Sequence, residues 1–295
     1  MQLISKGNPM KREEAIGVVK AGFEKLEESL KQGKSDALLK YLATVSKFHN
    51  YSLRNLVLIW QQNEDATMVA GFRAWQKLGR TVKKGEKGIG IFAPMPFKKK
   101  DQDGNASQGK SKTDEETQMM GFRVVHVFDI SQTEGDPLPE LATVTGDVGD
   151  KLDQLKQVVT GNGIELVFES IDRNALGYST GGKIVIEESL DDAKAFQVLA
   201  HELAHERLHH GERKGETTKK VRETEAEAVG FIVANAFDLE AQSHCAEYIQ
   251  LYDGNSETLR ESLDYIQSTA KWIVEAIQNV ASNAVESEPA NAEAA

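Results

Sequence analysis

The stretch with the clearest chemical signature is VLAHELAHERLHHGE, residues 198–212, in which His201, Glu202 and His205 form the pattern H-E-x-x-H. On a helix, positions i and i+4 lie on one face, so both histidines can direct ring nitrogens at one ion about 2.0–2.1 Å away. A zinc ion lowers the pKa of its bound water to about 7, and Glu202 can take the proton from that water. The motif therefore predicts a metal-dependent hydrolase with Glu202 as its catalytic carboxylate.

A catalytic zinc site needs a third protein ligand and an open fourth position. The downstream stretch RETEAEAVGFIV offers Glu223, Glu225 and Glu227 as candidates. Because Glu225 shares the apolar face of this predicted helix, we predict Glu225 as the third ligand, with Glu223 next as a partner of a ligating histidine. Zinc is the expected ion, although two histidines and one glutamate also accept Mn²⁺, Co²⁺ or Ni²⁺.

Other residues near the motif have alternative interpretations. Tyr178 precedes the predicted strand 183–187, and its hydroxyl could stabilise an oxyanion as a catalytic group, or it could be a packed strand residue. The strand itself is expected to offer an edge to an extended peptide. His209 and His210 are interpreted as surface residues or as supports for the ligands.

A second constellation lies in MVAGFRAWQKLGRTVKKGEKGIGIF, residues 68–92, where six Lys and Arg residues interleave with Phe72 and Trp75. Cations that follow a phosphate backbone, beside aromatic faces on which bases stack, are typical of single-strand binding. The alternative is that both aromatic rings belong to the core. The predicted nucleic-acid contacts are Arg73, Trp75, Lys77, Arg80, Lys83, Lys84 and Lys87.

The elements that must position these residues follow from apolar periodicity. Helical spacing predicts one helix for SLDDAKAFQVLAHELAHERLHH, which carries the motif, and another for VRETEAEAVGFIVANAF. Helices are also predicted between residues 11 and 62. The stretches GIGIFAPMPF and GFRVVHVFDI predict an antiparallel hairpin around a polar, mobile loop at about 98–118.

Composition predicts two domains of opposite charge in an α+β protein. Residues 1–100 carry 19 Lys and Arg against 9 Asp and Glu, a balance of +10, whereas the remaining residues carry −21. A Gly-, Pro- and acid-rich stretch at 131–150 separates a predicted first domain, 1–140, from a second, 147–284, with a disordered tail at 285–295. The absence of a long apolar run argues against membrane insertion, and a single cysteine favours the cytoplasm.

Both halves of the chain resemble known families. VLAHELAH followed by RETEAEAVGFIV resembles the zincin metallopeptidases grouped with ImmA/IrrE-like proteins. YSLRNLVLIWQQ, AGFRAWQKLGRTVKKGEKGI and VFDISQTEG resemble the single-stranded-DNA-binding domain of the plasmid antirestriction protein ArdC. Because both halves in this order cover nearly the whole chain, the resemblance is to the ArdC family.

This resemblance implies a helical and antiparallel-strand DNA-binding domain followed by a gluzincin-type domain. It implies a protein that shields incoming DNA from restriction during conjugative transfer, with His201, His205 and Glu225 as metal ligands and Glu202 as the catalytic carboxylate. Two other hypotheses stay open at this point: a DNA-coating protein with a structural metal, and an ImmA/IrrE-like protease that acts on a repressor. The peptide substrate and the oligomeric state are open as well.

Overall fold

A computed structural model describes residues 10–32, 36–96, 119–135, 148–171, 175–211, 213–239 and 256–287. The predicted α+β class is confirmed, while the loop predicted at about 98–118 lies outside the described residues. The helices of the described chain are α1 Arg12–Lys31, α2 Asp36–Lys47, α3 Leu53–Gln62, α4 Phe72–Lys77, α5 Lys151–Gly161, α6 Asp192–Leu208, α7 Arg213–Glu216, α8 Lys219–Ala236 and α9 Ser256–Ser287. The strands are β1 Val69–Gly71, β2 Arg80–Val82, β3 Ile89–Pro96, β4 Met119–Asp129, β5 Thr133–Gly135, β6 Glu165–Glu169, β7 Gly177–Ser179 and β8 Lys183–Glu187.

The described residues pack into two compact units. The described residues within Met1–Ala21 and Val57–Asp136 form unit 1, and those within Gly22–Leu56 and Pro137–Ala295 form unit 2. The segment Gly22–Leu56 thus packs with the C-terminal half, although the predicted first domain was the continuous range 1–140. The reason is that α2, which has an apolar buried side, packs against α8 of the same unit.

Unit 1 is built around an antiparallel sheet with the strand order β1-β4-β3. The predicted hairpin is confirmed, since β3 pairs with β4 and places Ile89 opposite Val127. Ile89, Ile91 and Val127 are buried on one face of this sheet. At the end of β4 the buried Asp129 accepts hydrogen bonds from the backbone N–H groups of Thr67 and Met68, which ties the segment that leads into β1 to the end of β4.

Unit 2 contains a three-stranded sheet with the order β6-β8-β7, in which β8 runs parallel to β6 and antiparallel to β7. The expectation that β8 offers an edge to a peptide is therefore wrong, because both of its edges are paired. The strand β7 lies at an edge of the described sheet instead. Around the sheet, α6, α8 and α9 pack together and bury Phe196, Val229 and Ile273.

The final helix, α9, continues to Ser287 and so extends beyond residue 284, where the tail was predicted to begin. The remainder of that predicted tail lies outside the described residues. In the described part of the chain, none of the helices combines the length and the apolar character that crossing a membrane requires.

Candidate metal centre

The H-E-x-x-H motif lies within α6, as the sequence predicts. The side chain of Asp191 caps the start of α6 by accepting a hydrogen bond from the N–H of Lys194. Leu199 and Leu203 are buried along α6 and anchor it in the core. His201, Glu202 and His205 are therefore held on a continuous helix whose position the core determines.

Three potential ligand atoms converge beside α6. His201 Nε2 lies 3.1 Å from His205 Nε2, and Glu223 Oε2 lies 3.8 Å from the first nitrogen and 3.5 Å from the second. Ligand atoms about 2.0–2.1 Å from one tetrahedral ion are about 3.3–3.4 Å apart. Two imidazole nitrogens and one carboxylate oxygen at these separations fit a divalent cation with an open fourth position.

Close packing of α8 against α6 brings Glu223 to this position. A side chain at Gly230, two turns beyond Glu223 on α8, would meet the backbone oxygen of Gln197 at 3.3 Å and His201 Cβ at 3.5 Å. The absence of a side chain at Gly230 lets the two helices approach closely. The glycine therefore contributes to the site without lying at the ion.

The structure corrects the choice of Glu225 as the third ligand. Its carboxylate is fully buried and accepts hydrogen bonds from Arg213 Nη1 at 2.6 Å and Arg213 Nη2 at 2.7 Å. The prediction assumed that the apolar face of α8 points at the metal. The apolar face of α8 points into the core. The converging ligand atoms lie at the margin of that face, where Glu223 and Glu227 are found.

Glu227 supports the other ligating histidine, with its Oε2 at 3.6 Å from His201 Nδ1. Burial disfavours the charged imidazolium, but hydrogen bonds to Glu223 and Glu227 outweigh this and raise the pKa of His201 to about 9. The same contacts with His201 and His205 hold the pKa of the Glu223 carboxyl far below its usual range. The carboxylates of Glu223 and Glu227 thus favour a positive charge beside the two histidines, and a divalent cation bound there would supply that charge.

Glu202 and Tyr178 line one cleft of about 300 Å³ together with His205 and Glu223. Glu202 is only 6% exposed, and burial raises its pKa although both histidines oppose the shift. A carboxylate with a raised pKa is suited to proton transfer near neutral pH. Tyr178 is 40% exposed and lies on the edge strand β7, so its hydroxyl is open to a ligand in the cleft.

The two remaining histidines have different surroundings. His209 is 3% exposed, and its Nδ1 lies 2.9 Å from His205 Nδ1, so it supports a ligand rather than lying on the surface. His210 Nε2 lies 3.3 Å from Ser179 Oγ and 3.4 Å from Glu206 Oε1.

Glu206 also accepts hydrogen bonds from the N–H groups of Gly181 and Gly182, which fastens the β7–β8 turn to α6. Both glycines have positive φ angles, of 84° and 92°, a backbone conformation that glycine adopts without strain. The edge strand β7 is thereby held beside the cleft.

The predicted nucleic-acid contacts in unit 1 separate into two groups. The side chains of Arg73, Lys77, Lys84 and Lys87 are exposed. Arg80 Nε donates to Thr133 Oγ1 at 2.8 Å, and Lys83 Nζ donates to the backbone oxygen of Ser131 at 2.9 Å, so these two cations also serve the local structure.

The prediction that Trp75 contacts nucleic acid is wrong. Its ring is fully buried, and its Nε1 donates a hydrogen bond to the backbone oxygen of Phe128 at 2.9 Å. A base cannot stack on a ring that no solvent reaches. Phe72, one turn earlier on α4, is 46% exposed and is the aromatic residue of this segment that a base could reach.

Comparison with known proteins identifies relatives of this chain. Residues 13–128 match the family model described as the N-terminal domain of anti-restriction factor ArdC. An uncharacterized protein of Bacillus anthracis, pXO2-81, is 24% identical in an alignment of 282 positions that covers 81% of this chain and 47% of that protein. The chain thus spans about half the length of this relative.

The fold resembles the crystal structure of the antirestriction ArdC protein from the R388 plasmid. The metal-free structure matches with a TM-score of 0.52 and 17% identity over 90% of this chain and 98% of that one. The Mn(II)-bound structure of the same protein matches with a TM-score of 0.51 and 16% identity, with the same coverage. The family model thus supports the resemblance seen in the sequence over residues 13–128, and the two structures show that the chain shares their fold.

Proposed function

We propose that this protein is an antirestriction protein with two activities, a proposal supported by the match of residues 13–128 to the family model of ArdC N-terminal domains. Unit 1 binds single-stranded DNA, and unit 2 carries a metal-dependent peptidase centre. Together they protect DNA that enters by conjugative transfer from restriction. The observation that carries the enzymatic part is the convergence of His201, His205 and Glu223 beside the buried carboxylate of Glu202.

The DNA-binding part rests on charge and on one exposed ring. Six Lys and Arg residues lie between residues 68 and 96, against the single acidic residue Glu86. Phe72 packs edge-on against Phe128 with 6.5 Å between ring centroids, and Arg73 follows it on α4. A base stacked on Phe72 would place its phosphate near these cations, an arrangement typical of sequence-tolerant single-strand binding.

A second exposed cation, Lys87, adjoins this pair of rings. The Phe128 ring lies against Gly88, where an added Cβ would meet ring carbon Cζ at 3.1 Å. Lys87 precedes Gly88 in the chain and is exposed, as is Arg73 beside Phe72. Exposed cations at positions adjacent in sequence to Phe72 and Gly88 would favour an anionic, base-bearing ligand over a neutral one.

In unit 2, His201, His205 and Glu223 would hold a divalent cation that supplies a Lewis acid and a water of lowered pKa. Zinc is our proposed ion, with Mn²⁺, Co²⁺ and Ni²⁺ as alternatives. Glu202 lies in the same cleft and would accept the proton of an attacking water. The Tyr178 hydroxyl would donate a hydrogen bond to the developing oxyanion.

The substrate of this centre is proposed to be an extended peptide. β7 is an edge strand of the described sheet and contributes Gly177, Tyr178 and Ser179 to the cleft. An extended peptide can pair with such an edge through main-chain hydrogen bonds. The scissile carbonyl would then lie in the cleft beside Glu202.

We place this activity in the cytoplasm, which the single cysteine favours.

The test of this function is an antirestriction assay with the Glu202→Gln variant, which removes the proton acceptor and keeps the shape of the side chain. If protection falls while metal and single-stranded DNA are still bound, peptide hydrolysis contributes to protection. Undiminished protection would instead support a DNA-coating protein with a structural metal.

A further inference from the structure

A line of hydrogen-bonded side chains runs from the proposed ligand His205 to Arg213, and its two middle members, His209 and Glu225, are buried. His205 Nδ1 lies 2.9 Å from His209 Nδ1, and His209 Nε2 lies 2.9 Å from Glu225 Oε2. Glu225 in turn receives both guanidinium N–H donors of Arg213. Four side chains from α6, its C-terminal cap, α7 and α8 thus form one continuous hydrogen-bonded line.

With a neutral His209 ring, the chemistry of this line allows one arrangement of protons. Arg213 donates only, and a carboxylate accepts only, so His209 must carry its proton on Nε2 to donate to Glu225. His209 Nδ1 is then an acceptor, and His205 must carry its proton on Nδ1. That tautomer leaves the lone pair of His205 Nε2 directed at the position where Glu223 and His201 converge.

Burial keeps this arrangement in place. Glu225 is fully buried and His209 is 3% exposed, so water does not compete for their hydrogen bonds. The guanidinium of Arg213 lies over the ring of Tyr265 on α9, 3.8 Å from its centroid, which fixes its orientation. The Nδ1 nitrogen of His201 lies 3.6 Å from Glu227 Oε2, a longer contact than the 2.9 Å between His205 Nδ1 and His209 Nδ1. The Nδ1 side of His205 is therefore held by the shorter of the two contacts.

We propose that His209, Glu225 and Arg213 are positioning residues that fix the tautomer and ring orientation of His205 and thereby set the metal affinity of the centre. The inference rests on the proposed metal centre. In the described part of the chain, the converging ligand atoms belong to His201, His205 and Glu223, so these three residues would act on the metal through His205. Groups that orient a ligating histidine through its second nitrogen typically change metal affinity by about 10- to 100-fold.

The test is calorimetric titration of the full chain with Zn²⁺ and with Mn²⁺. We expect His209→Ala to weaken binding by about 10- to 100-fold. His209→Gln, whose amide can accept from His205 and donate to Glu225, is expected to recover part of this loss. Glu225→Gln in the His209→Ala background should cause little further weakening, because the line is already interrupted.

His210→Ala is the matched control, since His210 is adjacent in sequence and contacts Ser179 and Glu206 outside this line. It should leave metal affinity within about threefold of the wild type, and circular dichroism of the metal-free variants establishes that each is folded. Failure of the wild type to bind either ion would refute the proposed metal centre. If the wild type binds metal and both His209→Ala and His209→Gln bind it as tightly as the wild type does, the positioning role is overturned.

Discussion

Arg213 and Glu225 form a two-pronged ion pair inside unit 2, with N–O distances of 2.6 and 2.7 Å. The pair explains how α8 can carry a glutamate on its buried, apolar side. It also explains why Glu225 is not available to a metal: both of its oxygens are engaged by Arg213, and one also by His209. Hydrogen bonds from these residues outweigh the effect of burial and lower the pKa of Glu225 to about 2.

The ion pair predicts a large effect of Arg213 on stability. Arg213→Ala leaves the Glu225 carboxylate buried without its counter-ion, and we expect unfolding free energy to fall by about 3–5 kcal/mol in urea titrations. The control is Lys271→Ala, which removes an exposed partner of Glu275 at 3.7 Å and should cost at most about 0.5 kcal/mol. Equal losses in the two variants would contradict this role.

Phe72 and Trp75 are expected to differ in their effect on DNA binding. Phe72→Ala should weaken single-stranded DNA binding by about 1–3 kcal/mol, because a base loses its stacking partner while the fold is kept. Fluorescence anisotropy with a labelled oligonucleotide measures this effect. Phe168→Ala in unit 2 removes a ring that is 37% exposed and lies beside Lys156, and it should leave affinity unchanged. Trp75→Ala should instead lower stability by about 3–5 kcal/mol.

The exposed cations of unit 1 predict a steep dependence of DNA affinity on salt. Removal of one cation that neutralises a phosphate should reduce the slope of log K against log salt by about 0.7 for single strands. The double variant Lys84→Ala/Lys87→Ala is therefore expected to flatten the slope by about 1.4. A wild-type slope near zero would favour docking of a protein, as in the hypothesis of a repressor-directed protease.

Asp129 predicts a contribution to stability that depends on pH. Burial raises the pKa of its carboxyl, but hydrogen bonds from Ser131, Thr67 and Met68 outweigh this and lower the pKa below 3.8, the value for an unperturbed aspartate. The folded state therefore gains stability above pH 3.8 and loses it as the pH falls through the lowered pKa. The stability difference between wild type and Asp129→Asn should be full at pH 6 and should shrink at pH 3. A difference that is equal at both pH values would show that the charge plays no part.

The sequence predicted those features that depend on local spacing. The i and i+4 histidines could be assigned to one face of α6, and two β-rich stretches could be paired as β3 and β4, because neither inference needs knowledge of distant contacts. The exposed ring of Phe72 and the buried ring of Trp75 could not be distinguished in this way. Both lie on the short helix α4, and only the packing of that helix against β4 decides which ring is covered.

The third metal ligand also could not be predicted from local spacing alone. Helical phase correctly placed Glu225 on the apolar side of α8, but the ligand cleft lies at the margin of that side. The relevant signals were present in the sequence as Gly230, which permits close helix packing, and as Arg213, which can neutralise a buried glutamate. Neither signal could be interpreted without the contact between α6 and α8.

Anomalous diffraction from crystals grown with Zn²⁺ or Mn²⁺ would show whether His201, His205 and Glu223 hold a divalent metal. We predict one anomalous peak about 2.0–2.2 Å from His201 Nε2, His205 Nε2 and Glu223 Oε2, with Glu225 still paired to Arg213. A peak coordinated by Glu225, or no peak beside α6 at saturating metal, would contradict this ligand set.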